Sequence, residues 1–243
     1  MDKKELINSG KVKSVFTTDD DNLVIIEFRD DMTAGDGERK EVMNDKGAYN
    51  AVISSKIFQV LEKNGVETQF VDLPEPNVMI AKKLEMIPIE VIVRNIATGS
   101  LVRKYPIANG TRLEPPIVQM DFKADEYHDP MLNDSIIKAL GIATQEEIDV
   151  LTEKALKINE ILTKFFADAG IILVDYKVEF GKDKDGNIIL GDEISPDSCR
   201  LWDSETLDML DKELFRKGKD NEVMEAYVEV YNRVIPDDEK FDF

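Results

Sequence analysis

The sequence predicts an α+β protein of two lobes, with mostly antiparallel sheets and a cleft between the lobes. Three observations predict it. β-Prone runs dominate residues 1–97, helical patterns and one hairpin dominate the remainder, and 243 residues supply enough chain for one large core or two smaller ones.

In chain order, Lys11–Thr17 and Asn22–Phe28 are β-prone runs around the polar turn Thr18-Asp19-Asp20-Asp21, so the chain opens with a hairpin. From about Lys46 to Lys63 the residues Val52, Ile53, Ile57, Val60 and Leu61 recur at helical spacing, and Asn64-Gly65 supplies the stop. Gln69–Leu73, Asn77–Leu84 and Ile87–Ala97 follow as strands, and the lobe boundary is expected near Leu84–Pro88, dividing residues 1–84 from 85–243. A short crossover there could offer backbone hydrogen bonds to a planar ligand. Between Thr98 and Tyr127 no period persists, and prolines at 106, 115 and 116 argue for a turn-rich connection or an inserted hairpin. Thr144-Gln145-Glu146-Glu147 matches a capping box ahead of an apolar face formed by Ile148, Leu151, Ala155, Ile158, Leu162, Phe165, Phe166 and Ala169. Gly170 ends that helix. Strands at Ile171–Gly181 and Ile188–Ile194 come next, then helical patterns near 204–216 and 220–233.

With 31 basic and 50 acidic residues the net charge is −19, a field that repels polyanions and excludes a nucleic-acid-coating role. A phosphate site must therefore be local. The single cysteine, Cys199, excludes an intramolecular disulfide or a CxxC zinc knuckle and fits a reducing compartment. One histidine, His128, excludes every metal site that needs two imidazoles, and is expected to be structural, as Cys199 is expected to be a small buried filler. The start Met1-Asp2-Lys3-Lys4-Glu5 has no apolar signal core and no run approaches the ~20 apolar residues of a membrane span, so a cytoplasmic location without membrane partners is expected. Neither GxxxxGK nor GxGxxG occurs.

The hairpin at 175–194 carries the most chemistry. Alternation in Asp175-Tyr176-Lys177-Val178-Glu179-Phe180 puts Asp175, Lys177 and Glu179 on one face. With Asp185-Gly186 as a two-residue type I′ turn, Lys184 pairs with Asn187 and Glu179 falls opposite Asp192. Two facing carboxylates repel unless a cation lies between them, and Mg²⁺ is held by one or two carboxylates together with substrate phosphates. A solvent-facing hairpin of mixed charge is the alternative. Asp183-x-Asp185-x-Asn187 is not an EF-hand, because position 188 is Ile where the loop needs glycine. Gly10-Lys11-Val12-Lys13 sets two ammonium groups beside a flexible turn, as a polyphosphate grip or as solvated lysines. Arg200, after the loop Ser195-Pro196-Asp197-Ser198-Cys199, suits a bidentate anion, and Arg94, within the apolar strand Ile89–Ile96, faces either solvent or an anion in a cleft.

Together these segments resemble the SAICAR synthetase family. The resemblance rests on Gly10-Lys11-Val12-Lys13, the stretch Asp31–Gly37, Lys82–Asn95, Ala97-Thr98-Gly99-Ser100-Leu101, His128-Asp129-Pro130, Leu173–Gly181 and Gly191–Asp203, in family order over nearly the whole chain. It implies a two-lobed, kinase-like or ATP-grasp-like fold and an ATP-dependent ligase that joins L-aspartate to the carboxylate of carboxyaminoimidazole ribonucleotide (CAIR), through an acyl phosphate. By the same resemblance, residues 1–84 form the nucleotide-binding lobe and 85–243 the substrate- and metal-binding lobe. Lys11 and Lys13 would hold ATP phosphates, Lys82 and Met86 would lie by the adenine, and Lys123 would approach the nucleotide. Glu179 and Asp192 would hold Mg²⁺ and, with Lys177, form the catalytic set. Asp175, Lys177, Arg94, Ser100 and Arg200 would bind the ribonucleotide, and Asp36 would face the substrate cleft. A homodimer is expected on the same ground. Met32 stands where the family pattern implies a smaller residue. Two other classes use part of these features: a small-molecule kinase needs the same metal pair, and an acidic cation-binding protein needs only the carboxylates.

Overall fold

The computed structural model describes residues 1–34 and 39–241. In chain order the elements are β1 (Leu6–Ser9), β2 (Lys13–Thr17), β3 (Leu23–Phe28), β4 (Asp31–Ala34), β5 (Arg39–Val42), α1 (Lys46–Lys63), β6 (Phe70–Glu75), β7 (Val78–Lys82) and β8 (Glu85–Ile96). These are followed by α2 (Ser100–Lys104), β9 (Arg112–Phe122), β10 (Met131–Leu132), α3 (Asp134–Ala139), α4 (Gln145–Asp168), β11 (Ile171–Lys182), β12 (Ile188–Gly191), β13 (Cys199–Asp203), α5 (Glu213–Arg216) and α6 (Asp220–Val234).

Two antiparallel sheets organise the molecule. The first runs β1-β2-β3-β7-β6, and the second runs β10-β9-β8-β11-β12 with β13 also paired to β11. Lys83 and Leu84 alone connect β7 of the first sheet to β8 of the second. The α+β class and the antiparallel pairing agree with the sequence, as do the β2–β3 hairpin and the extents of α1 and α4.

Helix α4 shows how local signals set packing. Thr144 Oγ1 accepts from the Glu147 amide at 3.3 Å and Glu147 returns a carboxylate to the Thr144 amide at 2.8 Å, closing the capping box. Its stripe of Ile148, Leu151, Ala155, Ile158, Leu162 and Phe166 is buried against the second sheet, where Tyr176, Val178, Phe180, Val91 and Val93 form the apolar face. The Tyr176 hydroxyl, carried into that core, donates to the Ala155 carbonyl of α4. Period-2 alternation then leaves the opposite face of the sheet for polar groups. Met32, at the head of the short β4–β5 ribbon, is fully buried in the same continuous core.

Several expectations are corrected. Of the two readings of 98–127, a turn-rich connection or an inserted hairpin, the second is nearer: β9, an eleven-residue strand, pairs antiparallel with β8, and its Pro115 and Pro116 fall where the β8 register shifts between Ile117 and Arg112, so no ladder amide is missing. Edge strand β1 and the β4–β5 ribbon carried no periodic signal, being four residues each. The first C-terminal helical pattern shrinks to one turn, α5, because Asp203 and Asp211 capture the amides of Glu205, Thr206, Leu201 and Glu213 into a folded loop.

The 175–194 hairpin is also corrected. Its loop has five residues, with Asp183 accepting from the amides of Asp185 and Asn187, and Lys182 pairs with Ile188. Glu179 therefore lies opposite Gly191, one residue from the expected register, and β12 ends there.

Candidate active site

A slip of one residue normally sends a side chain to the other face of a sheet. Asp192 escapes that outcome because it leaves the strand in the left-handed region, at φ 57°, and its carboxylate swings back to the polar side. Glu179 and Asp192 thus converge in spite of the altered register. Their charges perturb each other: burial, then Asp192, push the Glu179 carboxyl well above the usual range. Burial opposes ionisation of Asp192 as well, but Lys13, Lys123 and Lys177 outweigh it and hold that group well below its ordinary value.

The polar face is assembled from three neighbouring strands. Asp175, Lys177 and Glu179 of β11 lie beside Arg94, Ile92 and Glu90 of β8, which in turn lie beside Ile117, Gln119 and Asp121 of β9. Arg200 enters from β13 opposite Asp175. At one end Asp175 Oδ2 accepts from both Arg94, at 3.1 Å, and Arg200, at 2.8 Å, so a single buried carboxylate gathers two guanidiniums. Ser100 Oγ lies 3.2 Å from Arg94, and Gly99 before it has φ 59° with no room for a side chain, since a Cβ there would sit 2.6 Å from an Arg200 nitrogen. The resulting cavity is about 420 Å³ and includes Arg94, Ser100, Asp175 and Arg200 in its walls.

A second cavity, of about 360 Å³, opens on Lys11, Lys13, Lys123, Glu179 and Asp192. Lysines from the first sheet cross to acids of the second half: Lys13 Nζ meets Asp192 at 2.5 Å and Glu193 at 3.1 Å, and Lys11 meets Asp125 at 2.8 Å. Lys123 pairs with Glu179, and Lys177 with Glu90. The two cavities share Lys11, Thr33, Glu90, Lys177, Asp197, Ser198 and Lys212, so they adjoin, with Lys177 in the wall of both.

Two expected residues stand apart. Lys82 donates to the Thr68 carbonyl at 3.0 Å, and Met86 packs where a Cβ on Gly181 or Gly191 would touch it at 3.0 Å, so both lie beside the crossover and line neither cavity. Asp36 falls outside the described residues.

Residues that the sequence reading did not single out complete the site. Glu90 shares a strand face with Arg94, and the same alternation that marked Arg94 would have marked it. Asp197 lines both cavities with its carboxylate held by the buried Lys46 at 2.8 Å and by the Tyr227 hydroxyl at 2.5 Å. Nothing local signals Lys46, a lysine at a helix start that only tertiary packing buries. Lys212 and Arg216 come from the α5 turn, whose short span gave no period.

Among the described residues no group of three or more potential metal ligands converges. The donor set of Glu179 and Asp192 nonetheless fits a magnesium ion held partly by phosphates, because two carboxylates and a hard-oxygen environment are what such an ion takes from protein. Glu179 is buried and Asp192 repels it, a repulsion that a cation between them relieves.

A sheet face that gathers guanidiniums at one end, and lysines with a carboxylate pair at the other, defines an enzyme built to bring two anionic ligands together. The model of the SAICAR synthetase family matches residues 6–234. The chain belongs to that family, and with it to the ATP-dependent ligases of purine biosynthesis. A phosphoribosylaminoimidazole-succinocarboxamide synthase of Methanobrevibacter smithii is 84% identical over 242 residues, covering 100% of both chains. Its counterpart from Methanothermobacter thermautotrophicus is 54% identical over 231 residues, 95% of this chain and 93% of that one. Among solved structures, a SAICAR synthetase in complex with ADP matches with TM-score 0.93 and 47% identity, over 98% of this chain and 100% of the other. The synthase of Ehrlichia chaffeensis matches with TM-score 0.92 and 39% identity, over 96% and 100%.

Proposed function

We propose that this ligase joins L-aspartate to the CAIR carboxylate through an acyl phosphate, with ATP and Mg²⁺ at the lysine-and-carboxylate cavity and CAIR at the guanidinium cavity. The single observation that supports it most is that those cavities adjoin at Lys177, an arrangement suited to a phosphoryl donor in one and an acceptor carboxylate in the other. A carboxylate is a poor electrophile. One of its oxygens attacks the γ-phosphorus, the bond to the β-phosphate oxygen breaks, and ADP leaves. The aspartate amine then attacks the carbonyl carbon, and amide formation releases inorganic phosphate and a proton.

In this reading Lys11, Lys13 and Lys123 exchange their present acidic partners for nucleotide phosphates, while Glu179 and Asp192 hold the metal. Bound there, Mg²⁺ would neutralise charge on the transferring phosphoryl group. Lys177, between the cavities, stabilises the equatorial oxygens, and its pairing with Glu90 aims it. Arg94, Ser100 and Arg200 receive the ribonucleotide, with Asp175 holding the two arginines together. Lys82 and Met86 flank the adenine at the crossover, where Leu84 and Met86 pack closely over Gly181 and Gly191. Asp36 faces the substrate cleft. Lys212, on the shared wall, and Arg216, in the guanidinium cavity, add positive charge where the two carboxylates of L-aspartate need it. Small molecules are the partners, in a cytoplasmic homodimer. A net charge of −19 opposes nucleic acid, and among the described residues no helix is long and apolar enough to cross a membrane.

The test is CAIR labelled with ¹⁸O in its carboxylate. Transfer of label into the released phosphate, with ADP formation dependent on both CAIR and L-aspartate, is the expected result. Unlabelled phosphate would overturn the acyl phosphate, and ADP release indifferent to L-aspartate would overturn the ligation.

A further inference from the structure

Asp211 is the most completely buried acid of the described residues that has no cation within ion-pairing distance. Its side chain is fully buried, and burial pushes its carboxyl up to about 7. Both oxygens are committed to backbone: Oδ2 accepts from the Leu201 amide at 2.8 Å and Oδ1 from the Glu213 amide at 2.7 Å. Each of these two amides directly follows a residue that lines the guanidinium cavity, Arg200 and Lys212. Leu201 follows Arg200 in β13. Glu213 opens α5, and its Oε2 lies 3.4 Å from Arg200 Nε and NH2 and 3.0 Å from Arg216 NH1.

The surrounding ladder explains why a side chain is used. The Asp203 amide donates to the Asp208 carbonyl and the Leu210 amide to the Leu201 carbonyl, so residues 208–210 lie along β13 as a short antiparallel partner. Past Leu210 the chain turns into α5 and can no longer present a carbonyl to Leu201. The Asp211 carboxylate takes that ladder position and, with its second oxygen, starts α5.

We propose that Asp211 is a positioning residue for recognition of the ribonucleotide: by clamping β13 to the start of α5 it sets Glu213, which holds Arg200 and Arg216 in the cavity. The inference rests on the reading that Arg200 receives CAIR, and deepens it. Arg200 is already held from the other side by Asp175 and packed against Gly99, so the clamp supplies the remaining support of its guanidinium. An asparagine at 211 cannot replace the carboxylate, because its amide nitrogen would face one of the two backbone N–H groups, donor against donor.

The test compares Asp211→Asn, Glu213→Gln and Arg200→Lys by steady-state kinetics and by ADP binding. For Asp211→Asn the expected result is a rise of about 10-fold in KM for CAIR, with kcat within about 3-fold and ADP affinity unchanged. Glu213→Gln, which leaves the clamp intact but removes the charge that gathers the arginines, gives the same selective rise and decides the matter if Asp211→Asn does not fold. In the double variant the two effects fall short of additive, as they must if they act through one guanidinium. KM for CAIR within twofold of wild type in both single variants, beside a clear rise for Arg200→Lys, overturns the positioning role alone. No rise for Arg200→Lys instead overturns the assignment of Arg200 to the substrate, and the proposal with it. A loss of ADP affinity parallel to that of CAIR would mark Asp211 as merely structural.

Discussion

Glu179→Gln and Asp192→Asn should both abolish turnover yet change stability in opposite directions. The two acids face the same cavity and differ in what compensates them. Glu179 is 2% exposed at its side chain, and its cationic partners Lys123 and Lys177 remain 49% and 35% exposed, with Lys177 also paired to Glu90. Removing the carboxylate therefore strands no buried cation. It relieves a buried anion that Asp192 repels, a gain of about 1–2 kcal/mol when an uncharged isostere takes the place. Asp192 is the reverse case: its partner Lys13 is only 15% exposed, and neutralising the acid leaves that ammonium with Glu193 alone. Breaking a buried pair costs about 3–5 kcal/mol, and the surviving Glu193 contact brings the expectation down to about 2 kcal/mol.

The pH dependence follows from the signs. The folded-state pKa of Glu179 is raised, so the wild type loses stability as pH climbs through the interval between its unfolded and folded values. The advantage of Glu179→Gln is therefore full near pH 8 and vanishes near pH 4, where the acid is protonated in both states. Asp192 is lowered, so its contribution is complete above its unfolded value and fades only as pH falls through the folded one. The penalty of Asp192→Asn should persist at pH 5. Urea unfolding of the three proteins at pH 8 and pH 5 in EDTA measures both terms. Two changes of the same sign at pH 8, or an undiminished gain for Glu179→Gln at acid pH, would refute the account of the pair.

Other perturbations probe the supports of the site. Lys46→Met should destabilise the fold by about 3 kcal/mol in urea, because the buried Asp197 carboxylate keeps only the Tyr227 hydroxyl as a hydrogen-bond partner and the more distant charge of Lys212; a loss under 1 kcal/mol would contradict a true buried pair. Gly99→Ala places a methyl group 2.6 Å from an Arg200 nitrogen at a positive φ, and should raise KM for CAIR at least ~10-fold with ATP affinity unchanged in the same assays. Thr144→Ala removes the capping box far from the cavities, and thermal unfolding should show a loss of about 1 kcal/mol with kcat unaltered.

Sequence and structure divide the credit along a physical line. The capped amphipathic α4, the apolar and polar faces of β11, and the anomaly of Arg94 in an apolar strand were all legible, because helix and strand periods are properties of neighbouring residues. The convergence of Glu179 with Asp192 was foreseen, but for a register that does not occur. A five-residue Asp183-centred loop moved the pairing by one, and a positive φ at Asp192 restored the meeting. That compensation has no local signature, since the left-handed backbone of an aspartate is stabilised by what its carboxylate reaches, here Lys13 from the first sheet, 179 residues away in sequence. The burial of Lys46, the reach of Lys11 to Asp125 and the clamp of Asp211 belong to the same category. By itself the sequence determined which residues bear charge on which face; only tertiary packing decided which charges meet, because the energy of a buried ion or amide depends on partners that the chain supplies from far along its length.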